Sequence, residues 1–341
     1  MKNIDQYKTI VIFLLLLGMS LSACNSSEIS DSEAEADWQT SAHTRWYVED
    51  VPEYPTRCAK CHNALGYQTF LGVDQSLASQ AEALESDETT LKCQVCHNPV
   101  AEARNFASMP SGLEINNLGM ESNCIECHQG LASNLQVEKM VKDLPKDQVD
   151  INLTLPELHA NAVGATFYGT QAQGGVEYPQ YLYSGEFEHQ SDSCTICHDS
   201  HTLQVRVEQC GACHLGATGL EGVRQIRLSR TDYDGDGDIL EGLDGEIDTM
   251  MEKLWITIQL YTVLTEDTDL ILYNDGFFNE SGNKYTTWTP DLLQAAYNYH
   301  YVAKDPGSYS HNPKYIMQLL YDSIDELGGS TRGMIRPIVE K

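Results

Sequence analysis

Hydrophobic and polar positions give the chain three textures. Ile10 to Leu17 is one unbroken apolar run, preceded by Lys2 and Lys8. It is too short for an ordinary membrane-spanning helix. From residue 38 to 214 sustained periodicity is weak, which predicts sparse regular structure, mostly short helices. Within it, Asn161 to Tyr183 is rich in Gly, Tyr and Thr and reads as containing a short hairpin. Beyond 214 the pattern turns helical. Ile247, Met250, Met251, Leu254 and Ile258 follow the i, i+3, i+4, i+7 spacing of one helix face. A second helix starts with Thr289 as N-cap and Pro290 at its first position. It runs to about Ala303 and stops at Asp305-Pro306-Gly307. A third has Asn312 as cap, Pro313 first, and Ile316, Leu319, Leu320, Ile324 and Leu327 on one face. Gly328-Gly329 ends it.

Charge narrows the partners. Among 341 residues, 21 are Lys or Arg and 50 are Asp or Glu, for a net charge of −29. Nucleic acid is excluded as a main partner, because phosphate contacts need clustered cationic side chains. Anionic lipid surfaces are disfavoured for the same reason.

Cysteine spacing then supplies the chemistry. Of 11 cysteines, Cys24 stands alone. The others form five pairs with two residues between them, each followed by His: Cys58-Ala-Lys-Cys61-His62, Cys93-Gln-Val-Cys96-His97, Cys124-Ile-Glu-Cys127-His128, Cys194-Thr-Ile-Cys197-His198 and Cys210-Gly-Ala-Cys213-His214. This is the attachment motif of c-type haem. A disulfide framework does not require the histidine, and zinc sites would leave ligands in other spacings. Five covalently bound haem c groups are expected, with thioethers to the ten cysteines. His62, His97, His128, His198 and His214 are the expected proximal iron ligands. Haem packing, rather than a large side-chain core, should hold this half together.

The N-terminus reads as a targeting segment. Leu21-Ser22-Ala23-Cys24 resembles the bacterial lipoprotein processing site, which implies cleavage before Cys24 and lipid on Cys24. Several acyl chains on one cysteine suffice for stable attachment. Asn25 after the cysteine resembles the outer-membrane-sorted class. Residues 24–37 are polar and acidic and read as a disordered tether.

Six of the 11 histidines remain: His43, His159, His189, His201, His300 and His311. Five irons need five sixth ligands. His201 is three residues from His198 and cannot reach the opposite face of the same porphyrin, so it would serve a neighbour. His300 sits mid-helix among tyrosines and reads as a packed histidine. Trp38-x-x-Ser41-Ala42-His43, Cys197-His198-Asp199-Ser200-His201 and the run Ala296-Tyr297-Asn298-Tyr299, Asp305-Pro306-Gly307, His311-Asn312-Pro313 resemble the superfamily of octahaem reductases and hydroxylamine-oxidising enzymes. The resemblance implies distal roles for His43, His201 and His311. His159 and His189, flanking the Tyr-rich insert, complete the distal set. The chain has five motifs rather than eight and lacks the Cys-x-x-Cys-Lys motif of most pentahaem nitrite reductases; Lys60 lies inside the first motif. The resemblance therefore speaks for architecture more than for catalysis.

Asp232, Asp234, Asp236 and Asp238 alternate along the chain, with Gly237 at the sixth position. That is the first half of an EF-hand loop. Leu243 stands where the bidentate Glu belongs, so Glu241, Asp244 or Glu246 must replace it. One Ca2+ is expected, with Asp232, Asp234, Asp236, Asp238 and Glu241 as ligands; the alternative is a solvated acidic turn.

The expected architecture is mainly α with much irregular structure: a haem-packed multihaem cytochrome with C-terminal helices. Its parts are a signal peptide (1–23), the tether (24–37), a pentahaem region (38–230), the calcium loop (231–246) and a helical region (247–330) packed on the haems. The leading function is electron relay across the cell envelope, anchored by lipid at the outer membrane and facing either side of it. Its partners would be other redox proteins or an extracellular acceptor. One alternative is an enzyme reducing nitrite, hydroxylamine or a sulfur oxyanion at one five-coordinate haem. Another is a conductive filament.

Overall fold

The computed structural model describes residues 30–44, 56–73, 91–159, 161–189, 193–227, 229–266, 270–273, 276–279 and 281–339. The expected signal peptide (1–23) and the expected lipid attachment site, Cys24, lie outside them. The fold is mainly α-helical with much irregular structure. Among the described residues, the sheets are two antiparallel pairs, Phe106–Ser108 with Glu114–Asn116 and Leu270–Tyr273 with Gly276–Asn279.

The C-terminal helices form where the apolar spacing and caps place them. Leu243–Glu266 buries Ile247, Met250, Leu254 and Ile258 on one face. Pro290–Ala303 begins after Thr289, whose hydroxyl accepts from the Leu292 backbone N–H at 3.2 Å. Pro313–Glu326 begins after Asn312, whose Oδ1 accepts from the Tyr315 N–H at 3.1 Å. Each proline occupies a first-turn position where its missing N–H costs nothing. These three helices pack on one another. One cluster of buried apolar side chains continues from them into residues 107–183. Among the described residues, the segment around the first two cysteine motifs has only a small cluster of its own, Ala64, Tyr67 and Val95.

Two expectations are corrected. Residues 31–37 are not a featureless tether but belong to the helix Asp31–Thr40. A capping box starts it: the Ser30 hydroxyl accepts from the Glu33 N–H, and the Glu33 carboxylate accepts from the Ser30 N–H at 3.0 Å. The helix buries no residue, which is why no apolar face announced it. The hairpin expected within Asn161 to Tyr183 is replaced by the helix Val163–Tyr168, a turn at Gly169–Gln171 and an irregular strap.

The strap needs no strand partner because side chains satisfy its backbone. Asn298 Oδ1 accepts from the Val176 N–H at 2.7 Å, and its Nδ2 donates to the Val176 carbonyl at 2.9 Å. The Tyr297 hydroxyl donates to the Gly174 carbonyl at 3.0 Å, and the Tyr315 hydroxyl accepts from the Gly175 N–H at 3.3 Å. Asn298 is fully buried. Asn298→Ala strands a buried donor and a buried acceptor on Val176, which should cost roughly 3 kcal/mol. Calorimetric unfolding of the variant checks this; an unchanged Tm would contradict the account.

Candidate functional site: five facing histidine pairs

Each motif is built on about one helical turn. The backbone N–H of the motif histidine donates to the carbonyl of the first motif cysteine at 2.8 Å for His97, 3.0 Å for His128, 2.8 Å for His198 and 2.8 Å for His214. The first motif lies within the helix Thr56–His62. Residues at i, i+3 and i+4 share a helix face, so both cysteines and the histidine present together. All ten motif cysteines are free thiols.

Every motif histidine faces a second imidazole from a distant part of the chain. Ring centres are 5.9 Å apart for His128 and His43, and 5.8 Å for His62 and His159. They are 6.3 Å apart for His97 and His201, 6.2 Å for His214 and His189, and 6.4 Å for His198 and His311. A metal–imidazole bond is about 2 Å and the ring centre lies about 1 Å further, so two imidazoles on opposite sides of one metal have centres about 6 Å apart. The partners are the five histidines singled out in the sequence, each used once. His300 lies elsewhere, buried in the helix Pro290–Ala303 and edge-on to Phe277 at 6.0 Å.

Local structure aims the second rings. His43 sits on the turn Ala42–Thr44, with the Trp38 ring 5.7 Å away. His159 takes a positive φ of 59°, uncommon for a residue with a side chain. His189 stacks on Phe187 at 5.9 Å. Asp199 separates His198 from His201: its Oδ1 accepts from the His201 and Thr202 N–H groups at 3.0 and 2.9 Å. Arg206, 2.7 Å from Oδ2, does most to hold this carboxyl well below the usual range.

His311 is held most tightly. Its Nδ1 is 2.7 Å from Asp305 Oδ1, which leaves Nε2 for the facing side. Burial disfavours its charged form, but the Asp305 carboxylate outweighs that and raises its pKa. Gly307 admits the ring: a Cβ there would lie 2.6 Å from His311 Cε1. Burial lowers His43, His62 and His198. His128 is pushed down to about 4 by burial, then by His43, His198 and His311 nearby.

Residues between the cysteines fix which motifs adjoin. Glu126, inside the third motif and nearly fully buried, contacts Lys60 of the first motif at 2.5 Å and Arg104 at 2.7 Å. The Cys61 and Cys127 thiols are hydrogen-bonded to each other. Glu121, just before the third motif, accepts from the Ser193 hydroxyl and from the Thr195 N–H at 3.3 Å, which joins the fourth motif to the third. The helices Cys194–Cys197 and Val207–Gly211 bring the fourth motif to the fifth. Glu121 and Glu126 were not found by sequence reasoning. Asp305-Pro306-Gly307 reads there as a helix stop and as part of the resemblance, with no role assigned to Asp305 or Gly307 beside His311.

The acidic loop is assembled too, with one change. Carboxylate oxygens of Asp232, Asp234 and Glu246 lie within 4.8 Å of one another, as do those of Asp234, Asp236 and Glu241. Asp238 belongs to neither group; its Oδ1 accepts from the Leu240 N–H at 2.8 Å. Glu246, on the first turn of the helix Leu243–Glu266, takes its place.

Glu126→Ala leaves Arg104 and Lys60 without their buried counter-charge and should destabilise by about 3 kcal/mol. The Lys60 side chain is 29% exposed, so Lys60→Ala should cost about 1 kcal/mol or less. Equal losses in thermal unfolding would contradict the ranking.

Comparison with known proteins agrees with this geometry. The chain is 23% identical over 339 residues to the C-type polyheme cytochrome OmcB of Geobacter sulfurreducens, covering 79% of this chain and 43% of that protein. It is 22% identical over 380 residues to the C-type polyheme cytochrome OmcC of the same species, covering 90% of this chain and 47% of that one. The chain thus spans less than half the length of these relatives. No family model and no solved structure matches it. The chain is a distant relative of polyhaem c-type cytochromes.

Proposed function

We propose that the chain is a pentahaem c-type cytochrome lipoprotein that relays electrons across the cell envelope. The observation that carries this reading is the one-to-one facing of five motif histidines with five others, at the spacing one iron requires. The donor set fits haem c in kind as well: two free thiols and one imidazole per motif, with a second imidazole opposite.

In this reading Cys58, Cys61, His62 and His159 hold the first group, and Cys93, Cys96, His97 and His201 the second. Cys124, Cys127, His128 and His43 hold the third, Cys194, Cys197, His198 and His311 the fourth, and Cys210, Cys213, His214 and His189 the fifth. Haem held by two imidazoles supplies one-electron exchange with no open coordination position. The protein supplies adjacency. Lys60 and Glu126 join the first cluster to the third, Glu121 and Ser193 join the third to the fourth, and the short segment between His198 and Cys210 leads to the fifth. His201, three residues from His198, ties the second cluster to the fourth. A reductase would need a motif histidine with nothing opposite it, and each of the five has a facing ring.

Lipid on Cys24 would hold the protein at the outer membrane; no described helix is long and apolar enough to cross a membrane. Partners would be envelope redox proteins or an extracellular acceptor. With a net charge of −29, a basic contact surface on a partner would be favoured. Partition of the protein into the detergent phase, lost in Cys24→Ala, tests the anchor.

The haem reading is tested by electron paramagnetic resonance of the oxidised protein and carbon monoxide addition to the reduced protein. Only low-spin signals and no carbon monoxide adduct are expected. A high-spin signal of about one haem with an adduct would overturn the relay and favour the reductase. Asp305→Asn removes the negative charge behind His311, making it a weaker donor to the metal. With a differential of about 1 kcal/mol, one of the five potentials should rise by ~40 mV. Five unchanged potentials would remove His311 from the ligand set.

A further inference from the structure

The acidic loop carries an observation that the redox reading does not use. Asp234 is fully buried, yet its Oδ2 has no hydrogen-bond donor. Glu241 Oε1 is likewise buried without a donor. Both carboxylates belong to the clustered groups that also contain Asp232, Asp236 and Glu246. Ionised carboxylate oxygens out of water without donors are costly, and the cost is relieved by a proton or a cation.

The surroundings compensate the neighbouring oxygens but not these two: Asp232 accepts from the Gly235 and Gly237 N–H groups at 2.6 and 2.9 Å, and Asp234 Oδ1 from the Asp236 N–H at 3.0 Å. Arg227 Nη2 is 2.8 Å from Glu246 Oε1, but the other Glu246 oxygen accepts from the Tyr233 and Asp234 N–H groups at 2.8 and 3.0 Å. Lys253 donates to the Asp234 carbonyl, not to a carboxylate. Several hard oxygens of one sign, converging around a buried oxygen without a donor, match what a divalent cation of the calcium type takes. Gly237 at the sixth position has a φ of 97°, the sharp turn that such loops require.

We infer that this loop is a calcium site, with side-chain ligands from Asp232, Asp234, Asp236, Glu241 and Glu246, and that the ion clasps three separate segments together. Glu246 brings the N-terminus of the helix Leu243–Glu266. Arg227, whose Nη2 also donates to the Thr231 carbonyl at 2.6 Å, brings the strand of chain leaving the fifth motif. The Tyr233 carbonyl accepts from the Ile335 N–H at 3.0 Å and brings the C-terminal segment. Glu246 thus replaces both the missing twelfth-position acid and Asp238. The ion is structural, and its presence is independent of how many haems the chain carries.

The test uses the full-length protein as purified. Elemental analysis should find one calcium per polypeptide, removed by EGTA dialysis. Returning 1 mM Ca2+ should raise Tm by roughly 5 °C, while Mg2+ at the same concentration should not. Asp234→Asn and Glu246→Gln should each abolish the calcium-dependent shift, whereas Asp238→Ala should keep it. A Tm indifferent to EGTA and Ca2+, with no calcium in the purified protein, would overturn the site.

Discussion

Two imidazoles facing each other across about 6 Å do not by themselves mark a metal, because packed aromatic rings commonly sit about 4.5–7 Å apart. His189 on Phe187, at 5.9 Å, is such a pair. The weight rests not on one such spacing but on its repetition between motif histidines and other histidines. The arrangement occurs five times here, each time between a Cys-x-x-Cys-His turn and a histidine from another part of the chain. A coordinated metal between the rings explains the spacing, and the neighbouring cysteines explain why the metal would be that of a covalently attached porphyrin. Among the described residues the apolar cluster around the first two motifs is small, which suits a region packed around haem in the proposed reading, whereas residues 107–183 rest on the C-terminal helices.

Holding ten histidines in register needs fixed points, and charge supplies several of them. Glu126 is a buried acid between Lys60 of the first motif and Arg104 of the segment joining the second motif to the third, a geometry that penalises any displacement of the first motif from the third. Asp199 pins the loop that sends His198 and His201 to different partners. Asp305 fixes the tautomer of His311 and, with Gly307, its direction. In the proposed haem reading these carboxylates would not bind iron but would orient the groups that do, the usual division of labour between ligands and their supports.

Much of this was legible in the sequence, for identifiable reasons. The motifs are local, so their residues name themselves. The helices Leu243–Glu266, Pro290–Ala303 and Pro313–Glu326 were legible because apolar period, N-cap and first-turn proline agree. The five second histidines were legible as the rings that lie opposite the motif histidines, through a count of rings against motifs and the resemblance. Their pairing was not, because which ring meets which depends on tertiary contacts such as Glu126 with Lys60. The strap after Val163–Tyr168 was misread because Asn298, Tyr297 and Tyr315, more than a hundred residues away, replace the strand partner that its composition implied. The helix Asp31–Thr40 was missed because it buries nothing. In the acidic loop the alternating aspartates were plain, and Glu241, Asp244 and Glu246 were open candidates for the missing acid; the fold of the next helix brings Glu246 to the cluster, with Glu241, and leaves Asp244 out.

The central claim is the pairing itself. Its most direct test is a diffraction experiment on the full protein at the iron absorption edge. The account predicts five anomalous peaks, each midway between the two rings of one pair: His62 with His159, His97 with His201, His128 with His43, His198 with His311, and His214 with His189. Fewer than five peaks, or an iron bonded to a motif histidine with no imidazole opposite, would contradict it.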